Sequence, residues 1–166
     1  MKIAIFSDSH DNMPNIEKAI EYVKFKGISK LIHCGDVCAP AVMREIANLF
    51  DNEMHLVYGN VDGDRDKMEQ LAKDLPNLKI HGEQGEVEID GKKIGWVHYP
   101  NIAQEMAESG KYNAVFYGHD HKAWEKKVGD CMLRNPGTLA GLFAKPTFAI
   151  YDTENNNAEL ILIEKI

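Results

Sequence analysis

Apolar residues fall into short runs separated by stretches of helical spacing. Lys2–Phe6 is a brief apolar run that turns polar at Ser7, the pattern of a buried strand. Pro14 follows near the start of a stretch that places Ile16, Ala19, Ile20 and Val23 on one helical face, and Gly27 ends it. Leu31-Ile32-His33-Cys34 predicts a second strand, stopped by Gly35-Asp36. Pro40 opens a second helix with Val42, Ile46 and Leu49 inward. Met54–Tyr58 predicts a third strand, stopped at Gly59-Asn60, and a helix follows near Arg65–Lys73. Strand–helix–strand order of this kind predicts parallel strands joined by right-handed crossovers.

The second half is richer in strand. Gly85–Ile89 and Lys93–Val97 flank Asp90-Gly91, a hairpin signal. Asn101–Ser109 reads as a helix, and Ala114–Tyr117 as a strand stopped by Gly118-His119. Trp124–Val128 and Cys131–Arg134 flank Gly129-Asp130, and the Lys and Glu residues of the first suit an edge strand. Thr147–Asp152 and Ala158–Glu164 form a last hairpin around Asn155-Asn156-Asn157. This inventory supports an α/β or α+β class in one domain spanning 1–166.

Polar residues at the strand ends carry the candidate chemistry. The first strand ends in Asp8-Ser9-His10, the second in Gly35-Asp36, the third in Gly59-Asn60. A hairpin strand ends in His98, and the next in Gly118-His119-Asp120-His121. Ligands gather outside the carboxyl ends of parallel strands, so these ends converge if the strands are neighbours. Asp8 and His10, like His119 and His121, are two apart and would project to one side of an extended backbone. Two carboxylates, one amide and four imidazoles suit borderline metals such as Mn, Fe, Co, Ni or Zn. Seven donors exceed the needs of one such ion and suit two ions sharing a carboxylate.

Composition narrows the field. The 166 residues carry 19 Lys and Arg against 26 Asp and Glu, a net charge of −7, which argues against binding long nucleic acid. No apolar run approaches the ~18–20 residues that span a bilayer. The N-terminus lacks a secretory pattern, and three cysteines are not a disulfide framework, so a cytoplasmic location is expected. Cys34 and Cys38 read as free thiols, and His33 as a core histidine or one beside the site. His55 and His81 read as ordinary strand or turn histidines, and Arg65 and Lys122 as solvated surface. Asp120 reads as a carboxylate that orients a ligand or faces solvent.

The ordered series Asp8-x-His10, Gly35-Asp36, Gly59-Asn60, His98, Gly118-His119-x-His121 resembles the motifs of the calcineurin-like metallophosphoesterases. Asn135-Pro136-Gly137-Thr138 resembles a late turn of their small prokaryotic phosphodiesterase branch, whose fold the retromer subunit Vps29 shares. The resemblance implies a four-layer α/β/β/α sandwich of two mixed sheets. It implies a phosphodiesterase acting on a small phosphate ester, with two divalent metal ions, manganese foremost, and a bridging hydroxide that attacks phosphorus. By motif, one metal takes Asp8, His10 and His121, the other takes Asn60, His98 and His119, and Asp36 bridges them. Asp36, Asn60 and His98 are the expected catalytic positions. The family also implies a homo-oligomer. The alternatives are a protein-interaction scaffold on the same fold, a phosphomonoesterase or a nuclease.

Two departures from the family matter. Many relatives carry Gly-Asn-His-Asp where this chain has Gly59-Asn60-Val61-Asp62, so the imidazole that protonates the leaving group is missing. Asp62 would replace it only with a raised pKa. The fourth motif is Trp96-Val97-His98-Tyr99-Pro100, with Tyr99 where a Gly-His would follow. Asn60 and Tyr99 are the expected substrate contacts.

Overall fold

Alternate side chains of the same strand enter different cores, and this fixes the layers. The computed structural model describes residues 1–166. In β1 (Lys2–Phe6), Ala4 and Phe6 join one cluster while Ile3 and Ile5 join another. The same split recurs in β2 (Lys30–His33), where Leu31 and Ile32 part. Strands buried on both faces in this way need a layer on each side.

The first sheet has the order β11-β10-β1-β2-β3-β4. It comprises β1, β2, β3 (Glu53–Leu56), β4 (Leu78–Ile80), β10 (Thr147–Asp152) and β11 (Asn157–Leu162). β1 to β4 are parallel neighbours, and β10 runs antiparallel to β1. The second sheet has the order β5-β6-β7-β9-β8. It comprises β5 (Gln84–Ile89), β6 (Lys92–Val97), β7 (Ala114–Phe116), β8 (Trp124–Val128) and β9 (Cys131–Asn135), with β6, β7 and β9 parallel. The exposed strand β8 lies at an edge, as its charges predict.

Helices α1 (Met13–Phe25), α2 (Pro40–Phe50) and α3 (Arg65–Ala72) cover the outer face of the first sheet through a 24-residue core. Between the sheets lies a 14-residue core built on Trp96, Phe116 and Tyr151. Helix α4 (Pro100–Glu108) covers the second sheet through Ala103, Met106 and Ala107. Each large apolar side chain so buried contributes roughly 1.5–3 kcal/mol. The architecture is the expected α/β/β/α sandwich.

Local corrections are few. The inward face of α2 is Met43, Ile46, Ala47 and Phe50, an i, i+3, i+4, i+7 stripe, and Val42 and Leu49 are only partly covered on its flanks. Strand β4 was not expected, because three residues with a central lysine carry little period. β11 stops at Leu162, and Ile163–Lys165 turn into a short 3₁₀ helix that buries Ile163.

Candidate metal centre

The carboxyl ends of β1, β2, β3, β6 and β7 meet at one end of the sandwich, and their loops are tied to one another by backbone bonds. Asp8 N–H donates to the Gly35 carbonyl at 3.1 Å, and Gly118 N–H to the His98 carbonyl at 3.1 Å. The donors are not presented from extended backbone, contrary to the expectation for Asp8-x-His10 and His119-x-His121. Asp8, His10, Asp36, His119 and His121 all have positive φ, between 39° and 73°. Left-handed residues other than glycine are uncommon and strained, and they concentrate where function requires a fixed geometry. The turns, not the strand period, aim these side chains inward.

Two glycines leave room for this convergence. A Cβ on Gly59 would lie 2.0 Å from Asp36 Oδ1, and one on Gly118 would lie 2.0 Å from Ser7 Oγ and 2.5 Å from Asp8 Oδ2. No other residue fits at either position without displacing a carboxylate.

All seven expected donors come together, in two groups that share Asp36. In the first, His121 Nε2 is 3.1 Å from Asp8 Oδ1 and 3.1 Å from His10 Nε2, and His10 Nε2 is 3.8 Å from Asp36 Oδ2. One donor atom from each of Asp8, His10, Asp36 and His121 falls within 4.8 Å of the others. In the second, Asn60 Oδ1 is 3.0 Å from His98 Nε2 and 2.9 Å from His119 Nδ1, and His98 Nε2 is 3.3 Å from Asp36 Oδ2. The ring of Tyr99 stands beside this second group, 5.2 Å from the His119 ring.

Backbone carbonyls fix two of the tautomers. The Cys34 carbonyl accepts from His98 Nδ1 at 2.9 Å, and the Leu142 carbonyl from His121 Nδ1 at 3.3 Å. Each Nε2 is therefore left with its lone pair facing carboxylate or amide oxygens. Acceptors set against acceptors need a cation between them, and an imidazole held this way is the usual arrangement of a metal ligand. The residues fit a metal site.

Titration behaviour agrees. Burial raises the Asp8 carboxyl above its ordinary range, against the pull of His98 and His121. Burial acts on Asp36 in the same sense, but the His98 bond, the Val61 N–H and the nearby imidazole charge outweigh it and hold Asp36 low. Burial opposes charge on His98, yet contact with Asp36 and the field of Asp8 raise its pKa.

Supporting residues were only partly foreseen. Asp62 is no replacement acid. Its carboxylate accepts from the backbone N–H groups of Asp36, Cys38 and Gly59 at 2.9, 2.8 and 2.7 Å and clasps two loops together. Arg65 is not free surface, because it donates to the Gly59 carbonyl at 2.8 Å and lies over the Tyr58 ring. His33 is fully buried, accepts from Gly35 N–H at 3.2 Å and contacts Ser9 Oγ at 3.0 Å, and burial pushes it down to about 4. Asn135 donates to the Gly118 carbonyl at 2.9 Å, and Thr138 to the Asp8 carbonyl at 3.0 Å, which gives the late turn its structural purpose. Asp120 and Lys122 are exposed. Cys34 is buried, and Cys38 Sγ rests 3.4 Å from His10 Nδ1.

The model of the calcineurin-like phosphoesterase superfamily domain matches residues 1–156. The chain belongs to this superfamily. A phosphodiesterase of Methanocaldococcus jannaschii is 39% identical over 167 residues, 99% of this chain and 100% of that protein. The solved structure of an archaeal phosphodiesterase matches with a TM-score of 0.90 at 36% identity, over 98% of this chain and 99% of that one. Vps29 of Entamoeba histolytica, solved in complex with Zn²⁺, matches with a TM-score of 0.67 at 16% identity, over 98% of this chain and 99% of that one, a likeness of fold alone. A metallophosphoesterase of this superfamily implies divalent metal ions, and the cluster of Asp8, His10, Asp36 and His121 is the candidate place for one. No helix is long and apolar enough to cross a membrane.

Proposed function

We propose that this phosphoesterase hydrolyses small phosphodiesters with two divalent ions, one held by Asp8, His10 and His121 and one by Asn60, His98 and His119, with Asp36 shared. The observation that carries this is the pair of donor groups meeting at Asp36, 3.8 Å from His10 and 3.3 Å from His98. The relative that is 39% identical and named a phosphodiesterase supports the substrate class. Imidazole, carboxylate and carboxamide donors suit Mn²⁺, with Fe, Co, Ni and Zn as chemically allowed occupants. Such a pair supplies charge for the phosphate oxygens and a hydroxide nucleophile near neutral pH.

The chain's own residues do the rest. Asp36 and Asp8 would hold the ions, and Asp62 ties the Asp36 loop to the Gly59 turn through three backbone bonds. Asn60 is exposed beside His119 and offers its amide N–H to a phosphate oxygen. Val61 is 42% exposed next to Asn60, and it cannot protonate a leaving group. Diesters with good leaving groups are therefore the favoured class. The −7 charge disfavours long nucleic acid as substrate, and three free thiols fit a reducing cytoplasm.

Metal content and turnover measured together test the reading, because a Vps29 fold also binds Zn²⁺ and metal alone does not identify an enzyme. Close to two Mn²⁺ per chain, with hydrolysis of bis(4-nitrophenyl) phosphate, is the expected result. Asp36→Asn should lower that turnover by at least about 10²-fold, as expected when charge stabilisation at the reacting centre is lost. Two bound metals with no hydrolysis of diesters or monoesters would turn the reading toward a binding scaffold.

A further inference from the structure

Exposed apolar side chains gather at the mouth of the metal centre. Six large hydrophobic residues are substantially exposed, and three of them, Val61, Leu142 and Phe143, stand next to candidate ligands or contact them. Phe143 is the extreme case at 95% exposure. Its ring lies 5.8 Å from the His121 ring, tilted by 32°. Its φ is +61°, a conformation that a bulky side chain adopts only when the surrounding chain imposes it.

The loop that carries Phe143 is anchored. Ala140 N–H donates to the Asp8 carbonyl at 3.0 Å, and Asn12 and Asn15 donate to the Ala140 and Leu139 carbonyls at 2.9 Å each. His121 Nδ1 donates to the Leu142 carbonyl from the far side. The backbone on both sides of the site thus fixes a loop whose aromatic ring is almost fully exposed and stands beside the His121 ring. Phe143, Leu142 and Val61 together offer apolar surface beside the centre, where a substituent of a bound ligand would lie.

We infer that Phe143, with Leu142 beside it, forms the platform for one ester substituent of the substrate and sets a preference for flat aromatic substituents. This rests on the phosphodiesterase reading. A diester bound at the centre has two arms. The half formed by Asn60, His98 and His119 already has Tyr99 against it, and the half formed by Asp8, His10 and His121 has Phe143. One aromatic ring therefore flanks each half, which gives each arm of a diester a neighbouring ring. Offset stacking of an aryl or nucleobase ring is what an exposed phenyl face recognises.

Two phosphinates whose P–C bonds cannot be hydrolysed, diphenylphosphinate and dimethylphosphinate, test this by calorimetry on the Mn²⁺-loaded protein. The diphenyl compound should bind about 10-fold more tightly than the dimethyl one, about 1.4 kcal/mol at the tenfold conversion. Phe143→Ala should collapse that ratio to within about 2-fold, and Phe143→Tyr should restore it. The same ordering is expected in KM for bis(4-nitrophenyl) phosphate against methyl 4-nitrophenyl phosphate, which share one leaving group. A protein that loads metal and cleaves both esters, but keeps its ratio in Phe143→Ala, overturns the platform and leaves the phosphodiesterase intact. Failure to bind either phosphinate and to cleave either ester overturns both.

Discussion

Three pairs of histidines face each other in this molecule, His10–His121 and His98–His119 at the metal centre and His55–His81 outside it, and the first and last of these make the sharpest contrast. His10 Nε2 lies 3.1 Å from His121 Nε2, and His55 Nδ1 lies 2.9 Å from His81 Nε2. Around the first pair, buried Asp8 and Asp36 approach the nitrogens that face each other. Around His55–His81, the single carboxylate, Glu53, is half-exposed and paired with Lys30, and it meets His55 Nε2 on the side away from His81. There the hydrogen bonds run one way through two neutral imidazoles, His81 to His55 to the Glu53 carboxylate, and no two lone pairs face each other to collect a cation. Trp96 packs edge-on against both rings, 5.5 Å from His55 and 4.9 Å from His81. The difference teaches that the placement of carboxylates and the tautomers they face, rather than imidazole contact, make a metal site.

The largest effect that separates the two regions should come from removing one imidazole from each. His98→Ala should reduce diester turnover by about 10²-fold or more, because it removes a donor and leaves Asp36 without its partner. His55→Ala should leave turnover within about 3-fold and appear instead as a loss of about 1–3 kcal/mol in urea unfolding, the range for a buried hydrogen-bonded group. Equal losses of turnover in both variants would erase the distinction.

Adding an imidazole is a finer probe. Val61 N–H donates to Asp36 Oδ1 at 3.0 Å, so the backbone at this position borders the reacting region. Val61→His should raise turnover of alkyl diesters by about 10-fold, short of the ~10²–10⁴-fold of a fully positioned general acid, and leave 4-nitrophenyl esters nearly unchanged. Rates for a series of leaving groups would show this as a shallower dependence on their pKa. An unchanged slope would mean that the added ring does not reach the leaving oxygen.

The donors of the metal centre were legible because they sit at strand ends, and strand ends show in a sequence as apolar runs stopped by Gly35-Asp36, Gly59-Asn60 or Gly118-His119. Their backbone was not legible, since nothing local announces a positive φ at Asp8 or His121. Asp62 was readable as an acid but not as a clasp, because its three partners lie on two loops. The same reason hides His55–His81, whose members are 26 residues apart on β3 and just beyond β4, a strand too short to show a period. Phe143 carries no motif, and only its exposure beside His121 marks it.

The smallest effect distinguishes the pairs by their response to acid. Burial, with the charges of His55 and Lys79, pushes His81 down to about 4, and burial lowers His55 as well. An unfolded imidazole titrates near 6.5, so between these values the unfolded chain binds a proton that the folded chain refuses. The stability is fully present above about pH 6.5 and is lost as pH falls toward about 4. His33, pushed down to about 4 by its own burial, adds a loss in the same window. His81→Gln keeps an N–H for His55 and removes one titrating ring while leaving His33 in place. The drop in unfolding free energy from pH 7 to pH 4.5 should therefore be about 1–2 kcal/mol smaller in the variant than in the wild type, after allowance for partial solvent access. Urea midpoints with constant slopes at the two pH values measure it. An identical drop in both proteins would show that His81 releases no proton on folding, and that a pair of neutral imidazoles bonded to Glu53 is not the state that holds this edge together.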